Sequence, residues 1–343
     1  MLVYTSVTKS YIPKARVLAA SVKKFHSDWT FVLLLSDDLP DNFDLEAEPF
    51  DEVLKITDLD IPDLQSWIFR HSVVELCTAV KGRAASILAR RDDVDKVVYL
   101  DPDTRVFNSL KPLEDLLDSN QVLLTPHLLD AEVEYDAIVD NEISVLKHGL
   151  YNLGFMAANS DGQGLEFMDW WASRLMQFCR DDIPGGLFTD QRWCDLAPIF
   201  FDKTLVLRDR GYNVATWNLA HRKLSLDSTG DILAGSDLLR FYHFTGYDSG
   251  DGDGMLKKYA ADQKIAAELW AEYAIVLEQA GGADPLLKSW IYQNYESGNS
   301  IAKEARKIYG SRADLIEAFP DPFSKIEPCF ESWYVAEVER GNI

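Results

Sequence analysis

Val97-Val98-Tyr99-Leu100-Asp101-Pro102-Asp103 is the stretch on which the fold turns. Four consecutive apolar residues read as a strand buried on both faces, as in a parallel sheet covered by helices on either side. The strand runs into two carboxylates separated by a proline, and residues i and i+2 of an extended chain point to the same side. Ligands of open α/β sheets bind at the carboxyl ends of strands, where this pair falls. Two hard oxygen ligands there suit Mg²⁺ or Mn²⁺, and such a cation bridges diphosphate oxygens. Asp and Pro are also common turn residues, so the triplet alone reads first as a plain turn.

Upstream, the chain alternates in type. Leu2 to Val7 reads as a strand. Ala15, Leu18, Ala19, Val22 and Phe25 fall at helical spacing on a segment opened by Pro13. Thr30 to Leu35 is a second strand, Val53 to Ile56 a short third, and Val73 to Ala89 a long helix. Strands separated by helices predict an α/β fold with a mostly parallel sheet. Downstream, Gln121 to Thr125 and Leu153 to Ala158 read as strands, and Glu166 to Cys179 as an amphipathic helix. Asp130 to Glu142 is acidic without periodicity and reads as an exposed or mobile loop, with a lid over a ligand as the alternative. Leu239 to Phe244 reads as the last strand of a domain covering 1–250. After the Gly/Asp-rich connector Asp248 to Gly254, the pattern from Ala260 to Tyr309 is helical, giving a C-terminal extension over 251–343.

The 343 residues suffice for one large domain with appended elements. No segment approaches the roughly 18 apolar residues that span a bilayer, and the N-terminus lacks a basic, apolar signal pattern. The four cysteines form no C-x-x-C pair. Together these read as a protein of the reducing cytoplasm. The net charge of −22 repels nucleic acid and anionic membrane but leaves nucleotide binding open, since a divalent cation can sit between protein and diphosphate.

His243, in Phe241-Tyr242-His243-Phe244-Thr245-Gly246, adds a nitrogen ligand and moves the preference from Mg²⁺ toward Mn²⁺. Gly246 would let backbone approach a phosphate. A half-buried strand histidine is the plainer reading of His243 alone.

Taken together, Val3-Tyr4-Thr5, Val98 to Asp103, Tyr151-Asn152-Leu153-Gly154-Phe155, Thr189-Asp190-Gln191 and His243-Phe244-Thr245-Gly246 resemble, in order, the motifs of the GT-A glycosyltransferases, and within them glycosyltransferase family 8 and its bacterial relatives. The resemblance covers about residues 1 to 250. It implies a GT-A, Rossmann-like domain transferring a sugar from a nucleoside diphosphate, with UDP the favoured nucleotide and retention the expected stereochemistry. It implies that Tyr4 and Thr5 line the nucleobase pocket, and that Asp101, Asp103 and His243 hold the metal. Asn152 and Gly154 would lie near the donor sugar, and Asp190 and Gln191 near the reacting carbon. Lys81 would stand against the donor, where the family more often has Arg, with Arg83 competing for the role. The family's lysine after the H-F-T-G-like stretch is replaced by Tyr247 and Asp248, leaving Lys257 or Lys258 as substitutes if that segment folds back. Asp190 also reads as a helix N-cap.

A phosphatase is disfavoured because Arg105 occupies the fifth position of its D-x-D motif, and a sugar-nucleotidyltransferase because Thr5 to Ser10 lacks glycine. A non-catalytic nucleotide-sugar or carbohydrate-binding relative is the remaining alternative. The acceptor class (saccharide, lipid-linked saccharide or protein) and the sugar are left open. The C-terminal aromatics Trp290, Tyr292, Tyr295, Trp333 and Tyr334 are candidates for acceptor binding, homo-oligomer contacts or capping.

Overall fold

The computed structural model describes residues 1–282, 284, 287 and 289–343. The strands β1 (Leu2–Val7), β2 (Thr30–Leu35), β3 (Glu52–Lys55), β4 (Lys96–Leu100), β6 (Val122–Pro126) and β7 (Tyr151–Asn159) form, with Thr204–Val206, a seven-stranded sheet. Its order is Thr204–Val206, β6, β7, β4, β1, β2, β3. Only β7 runs against its neighbours; the other pairs are parallel. The fold is therefore the mixed α/β architecture expected, with helices on both faces.

Alternation along β1 shows why both faces are covered. Tyr4 points into one buried cluster with helices α2 (Leu64–Phe69) and α3 (Val73–Leu88). Val3 points into the other, with α1 (Ile12–Phe25). Period-two side chains thus feed two cores, and α3 begins at a capping box, Ser72 Oγ accepting from Glu75 N–H while the Glu75 carboxylate accepts from Ser72 N–H.

The last strand expected of the 1–250 part is present as Phe241–His243; it pairs antiparallel with β5 (Thr104–Val106) outside the central sheet, setting His243 opposite Thr104. Two local expectations are corrected. The acidic stretch is a loop only over 130–134; from there it folds as Tyr135–Ala137, a π-helical turn over Ile138–Ile143, and Ser144–His148. Specific partners hold its carboxylates. Arg210 binds Asp130 through two nitrogens at 2.6 and 2.8 Å, and Asp140 accepts from Lys258 Nζ and Tyr259 Oη, both at 2.6 Å. Helical periodicity from 260 to 309 is interrupted. The helix Asp251–Tyr259 stops at Ala260, the helix Lys264–Gln279 is followed by Gly281-Gly282, and the short 3₁₀ turn Ile291–Gln293 precedes Lys303–Ser311.

The C-terminal aromatics pack as a cap on the sheet. Tyr295, Tyr309, Phe323 and Phe330 surround Phe69 of α2 with ring centroids 5.0 to 5.9 Å away. Among described residues no helix is long and apolar enough to cross a membrane.

Candidate active site

A cavity of about 830 Å³ opens at the carboxyl ends of β1 and β4. Asp101 follows β4 directly, and its N–H donates to the Gly154 carbonyl at 2.9 Å, extending the ladder with β7. The chain then turns: Thr104 N–H donates to Asp101 O at 3.1 Å, so Pro102 and Asp103 are the central residues of a β-turn. The two carboxylates converge through that turn, not through extended-chain alternation. The β5 ladder brings His243 alongside, with Phe244 N–H donating to Asp103 O at 2.8 Å.

One ligand atom from each of Asp101, Asp103 and His243 lies within 4.8 Å of the other two. His243 Nε2 is 3.1 Å from Asp103 Oδ1 and 3.7 Å from Asp101 Oδ2. Its other nitrogen, Nδ1, faces Asn213 Oδ1 at 3.2 Å. The amide orientation of Asn213 is set by its own donations, to Thr125 Oγ1 at 2.9 Å and Asn152 Oδ1 at 3.0 Å. Nδ1 therefore carries a proton toward Asn213, and Nε2 presents a lone pair to the carboxylates whenever the ring is neutral. Gly154 makes this position available, because a Cβ there would lie 2.4 Å from His243 Cε1. Two carboxylates and an imidazole with a fixed tautomer fit a divalent ion of the Mn²⁺ or Mg²⁺ type.

Burial alone would lower the His243 pKa, but the charge and hydrogen bond of Asp103, with Asp101 behind, raise it. Burial would correspondingly raise Asp103, and His243 and then Lys14 pull it below the usual range.

Lys81, on the buried side of α3, is the second centre. Its ammonium is 3.1 Å from Asp101 Oδ1, 3.1 Å from Asp190 Oδ2 and 3.3 Å from Leu153 O. It also lies 4.3 Å from the Tyr99 ring centroid, and Tyr99 Oη donates to Asp101 Oδ1 at 2.5 Å. Burial opposes the charged form of Lys81, yet Asp101 and Asp190 outweigh it and raise its pKa. Asp190 is raised overall by burial, with Lys81 pulling down and Asp101 pushing up. Asp190 occupies the N-cap position of Gln191–Cys194, but its side chain makes no cap bond; Thr189 Oγ1 and Lys81 hold it instead. Gln191 Oε1 accepts from Leu153 N–H at 3.2 Å and from Asn152 Nδ2 at 3.3 Å.

Of the residues singled out from sequence, Lys81, Asp101, Asp103, Asn152, Asp190, Gln191, His243 and Gly246 line this one cavity. Gly246 has φ +70°, and a Cβ there would meet Gly252 N at 2.7 Å. Gly154 lies just behind, against His243. Tyr4 and Thr5 are fully buried beneath the floor and outside the lining; Tyr4 Oη donates to the Lys81 carbonyl, and Ser6, Val7 and Thr8 reach the cavity in their place. Arg83 points elsewhere, to Leu59 O and Asp60. The 251–259 helix does fold back, contributing Asp251, Gly252 and Met255 to the wall, but Lys257 pairs with Asp253 and Lys258 with Asp140.

Sequence reasoning missed Asn213, His127 and Trp217. Asn213 has φ +53° and no flanking motif. The Trp217 ring packs between those of His127 and His243, at 5.6 and 5.7 Å. An isolated Asn or Trp in irregular chain gives no signal of its own.

No family model matches the chain. Two uncharacterized proteins of Bacillus subtilis (strain 168) are similar to it. YfnF is 25% identical over 164 residues, 47% of this chain and 53% of that protein, and YfnD 22% identical over 250 residues, 71% and 76% respectively. The chain thus matches about half the length of YfnF. Among solved structures, the galactosyltransferase LgtC in complex with donor and acceptor sugar analogs is 15% identical, covering 81% of this chain and 96% of that one at TM-score 0.48. The glycosyltransferase GlyE of Streptococcus pneumoniae TIGR4 is 17% identical, covering 86% and 66% at TM-score 0.45. At such identities and TM-scores the functional reading rests on the site itself.

Proposed function

We propose that this chain is a metal-dependent glycosyltransferase that moves a sugar from a nucleoside diphosphate to an acceptor hydroxyl. The observation that carries the reading is the convergence of Asp101, Asp103 and His243 beside the Lys81–Asp190 pair in one large cavity at the strand ends. Asp101, Asp103 and His243 would hold Mn²⁺ or Mg²⁺, which supplies Lewis-acid neutralisation of the departing diphosphate. Donor binding is assigned to 1–250 together with the 251–259 helix that completes the cavity wall, with the rest of 251–343 bracing it.

In the reaction, the bond between the anomeric carbon and the diphosphate oxygen breaks, the acceptor oxygen bonds to that carbon, and the acceptor proton passes to the departing diphosphate oxygen. Lys81 keeps Asp101 and Asp190 in place by balancing both charges. Gln191 and Asn152 are tied to the β7 backbone, which fixes their amides against the sugar. Asp190 is engaged by Lys81 and Thr189, which suits a positioning role more than proton abstraction and supports retention at the anomeric carbon. The apolar side chains of Leu128 and Trp217 complete the cavity wall beside these polar groups.

The test is a thermal-shift screen of nucleoside diphosphates with and without Mn²⁺, UDP first. Ligands that bind the folded state raise Tm by mass action. Stabilisation by a nucleoside diphosphate that requires Mn²⁺ is expected; no response to any nucleotide refutes the reading.

A further inference from the structure

A second cleft, of about 380 Å³, lies beside the first. The two meet at the start of α3: Val73, Val74, Cys77 and Thr78 line the first, and Ser72 and Glu75 line the second. Val73 and Val74 are 38% and 66% exposed and form the saddle between them.

The second cleft gathers Arg70, Arg180, Lys303 and Lys307. Among the described residues none of these four has a carboxylate within ion-pair distance, although most other cations of this acidic chain do. Arg70 Nε is buried with no hydrogen-bond partner. A fifth cation, Arg306, is fully engaged by backbone carbonyls. The cleft's carboxylates do not answer the four. Glu75 accepts from Ser72 N–H and Asp181 N–H, and Asp182 accepts from Gly185 N–H. Asp181 and Glu304 complete the acidic lining at its exposed edge. Burial lowers the Arg70 pKa; the nearby Tyr309 opposes this and the Arg180 charge adds to it. Desolvation of Arg70 without a partner costs free energy that a bound anion recovers, and the exposed Arg180, Lys303 and Lys307 lining the same cleft add donors for the acceptor oxygens of a phosphate.

We propose that this cleft binds a phosphate group. Given the transferase reading of the first cavity, on which this part rests, the phosphate belongs to the acceptor: a phosphate-linked saccharide whose reacting hydroxyl crosses the Val73–Val74 saddle into the first cavity. The chemistry recognised is a phosphate ester; free inorganic phosphate shares it.

The experiment is isothermal titration calorimetry on the full chain with inorganic phosphate and, separately, glucose 1-phosphate, each repeated on an Arg180→Gln/Lys307→Gln variant. Both substitutions are at exposed positions, so the fold is kept. UDP with Mn²⁺ is titrated into both proteins as the reference. Saturable binding of both phosphates is expected, weakened about tenfold or more in the variant, with UDP–Mn²⁺ affinity unchanged. Absence of saturable binding, survival of binding in the variant, or competition by UDP–Mn²⁺ overturns the second site. Binding of inorganic phosphate without glucose 1-phosphate overturns its role toward an acceptor. If UDP–Mn²⁺ fails to bind while phosphate still depends on Arg180 and Lys307, the transferase reading falls and the anion site stands.

Discussion

Lys81 and Arg306 are both cations buried on the α3 side of the sheet, yet they are compensated in opposite ways. Lys81 faces a cavity and is balanced by two carboxylates, Asp101 and Asp190, which raise its pKa. Among the described residues Arg306 has no carboxylate within ion-pair distance. It donates to the carbonyls of Phe69, His71 and Tyr292 and lies 5.3 and 5.2 Å from the Phe69 and Trp290 rings. Burial lowers its pKa to about 10. A cation among carboxylates is a charge arrangement that a ligand can enter and rebalance. A cation among backbone carbonyls is a clip, here tying the Lys303–Ser311 helix to the chain between α2 and α3 and to Tyr292. The difference separates the part of the molecule that does chemistry from the part that holds it.

Exchanging the two effects would break this contrast. Arg306→Met strands buried carbonyls and is expected to lower unfolding stability by about 3 kcal/mol in urea melts, while the folded fraction keeps its UDP–Mn²⁺ affinity. A parallel loss of affinity would mean that the clip belongs to the site. Lys81→Met leaves Asp101 and Asp190 facing each other without a balancing charge. Steady-state transfer should fall roughly a hundredfold, about 2.7 kcal/mol of transition-state stabilisation, and a change confined to Tm would contradict its assignment.

Acid sensitivity should arise in both regions, beginning beside the clip. Burial lowers the His71 pKa from 6.5 to about 4, against its hydrogen bond with Trp67 O. Below pH 6.5 the unfolded chain takes up a proton that the folded one refuses. His71 therefore costs stability progressively as pH falls from 6.5 toward 4, by at most about 1.4 kcal/mol per pH unit. His127 behaves in the same way within the cavity wall, and its pKa is also about 4. Replacing His71 with Gln should reduce the slope of stability against pH between 6.5 and 5 without removing it, read from denaturation at each pH. Smallest of the four, Gly154→Ala pushes a methyl into His243. It should weaken Mn²⁺ binding about tenfold, in line with the disturbance of a ligand's support, with an unchanged circular dichroism spectrum.

The parallel sheet was legible because its strands are short, continuous apolar runs separated by helical periodicity. Val97 to Leu100 carried that reading, and the Asp101, Asp103 and His243 cluster followed from the motif order. Side-chain direction was not legible. Tyr4 alternates into the core because β1 is buried on both faces, and no local pattern in Val3-Tyr4-Thr5 says which residue tops the strand. The acidic stretch misled because its carboxylates are matched by distant partners, Arg210, Lys258 and Tyr259, which no window of sequence contains. Asn213 was invisible for the same reason: its role comes from Thr125, Asn152 and His243, each far from it along the chain.

The central claim is that Asp101, Asp103 and His243 act as one metal site for a nucleotide-sugar. The most direct test is turnover of a UDP-sugar with Mn²⁺ by the native chain and by Asp103→Ala, with folding verified by urea melts. The account predicts Mn²⁺-dependent turnover in the native protein and a loss of about a hundredfold or more in the variant. Mn²⁺-dependent turnover retained by Asp103→Ala would contradict it.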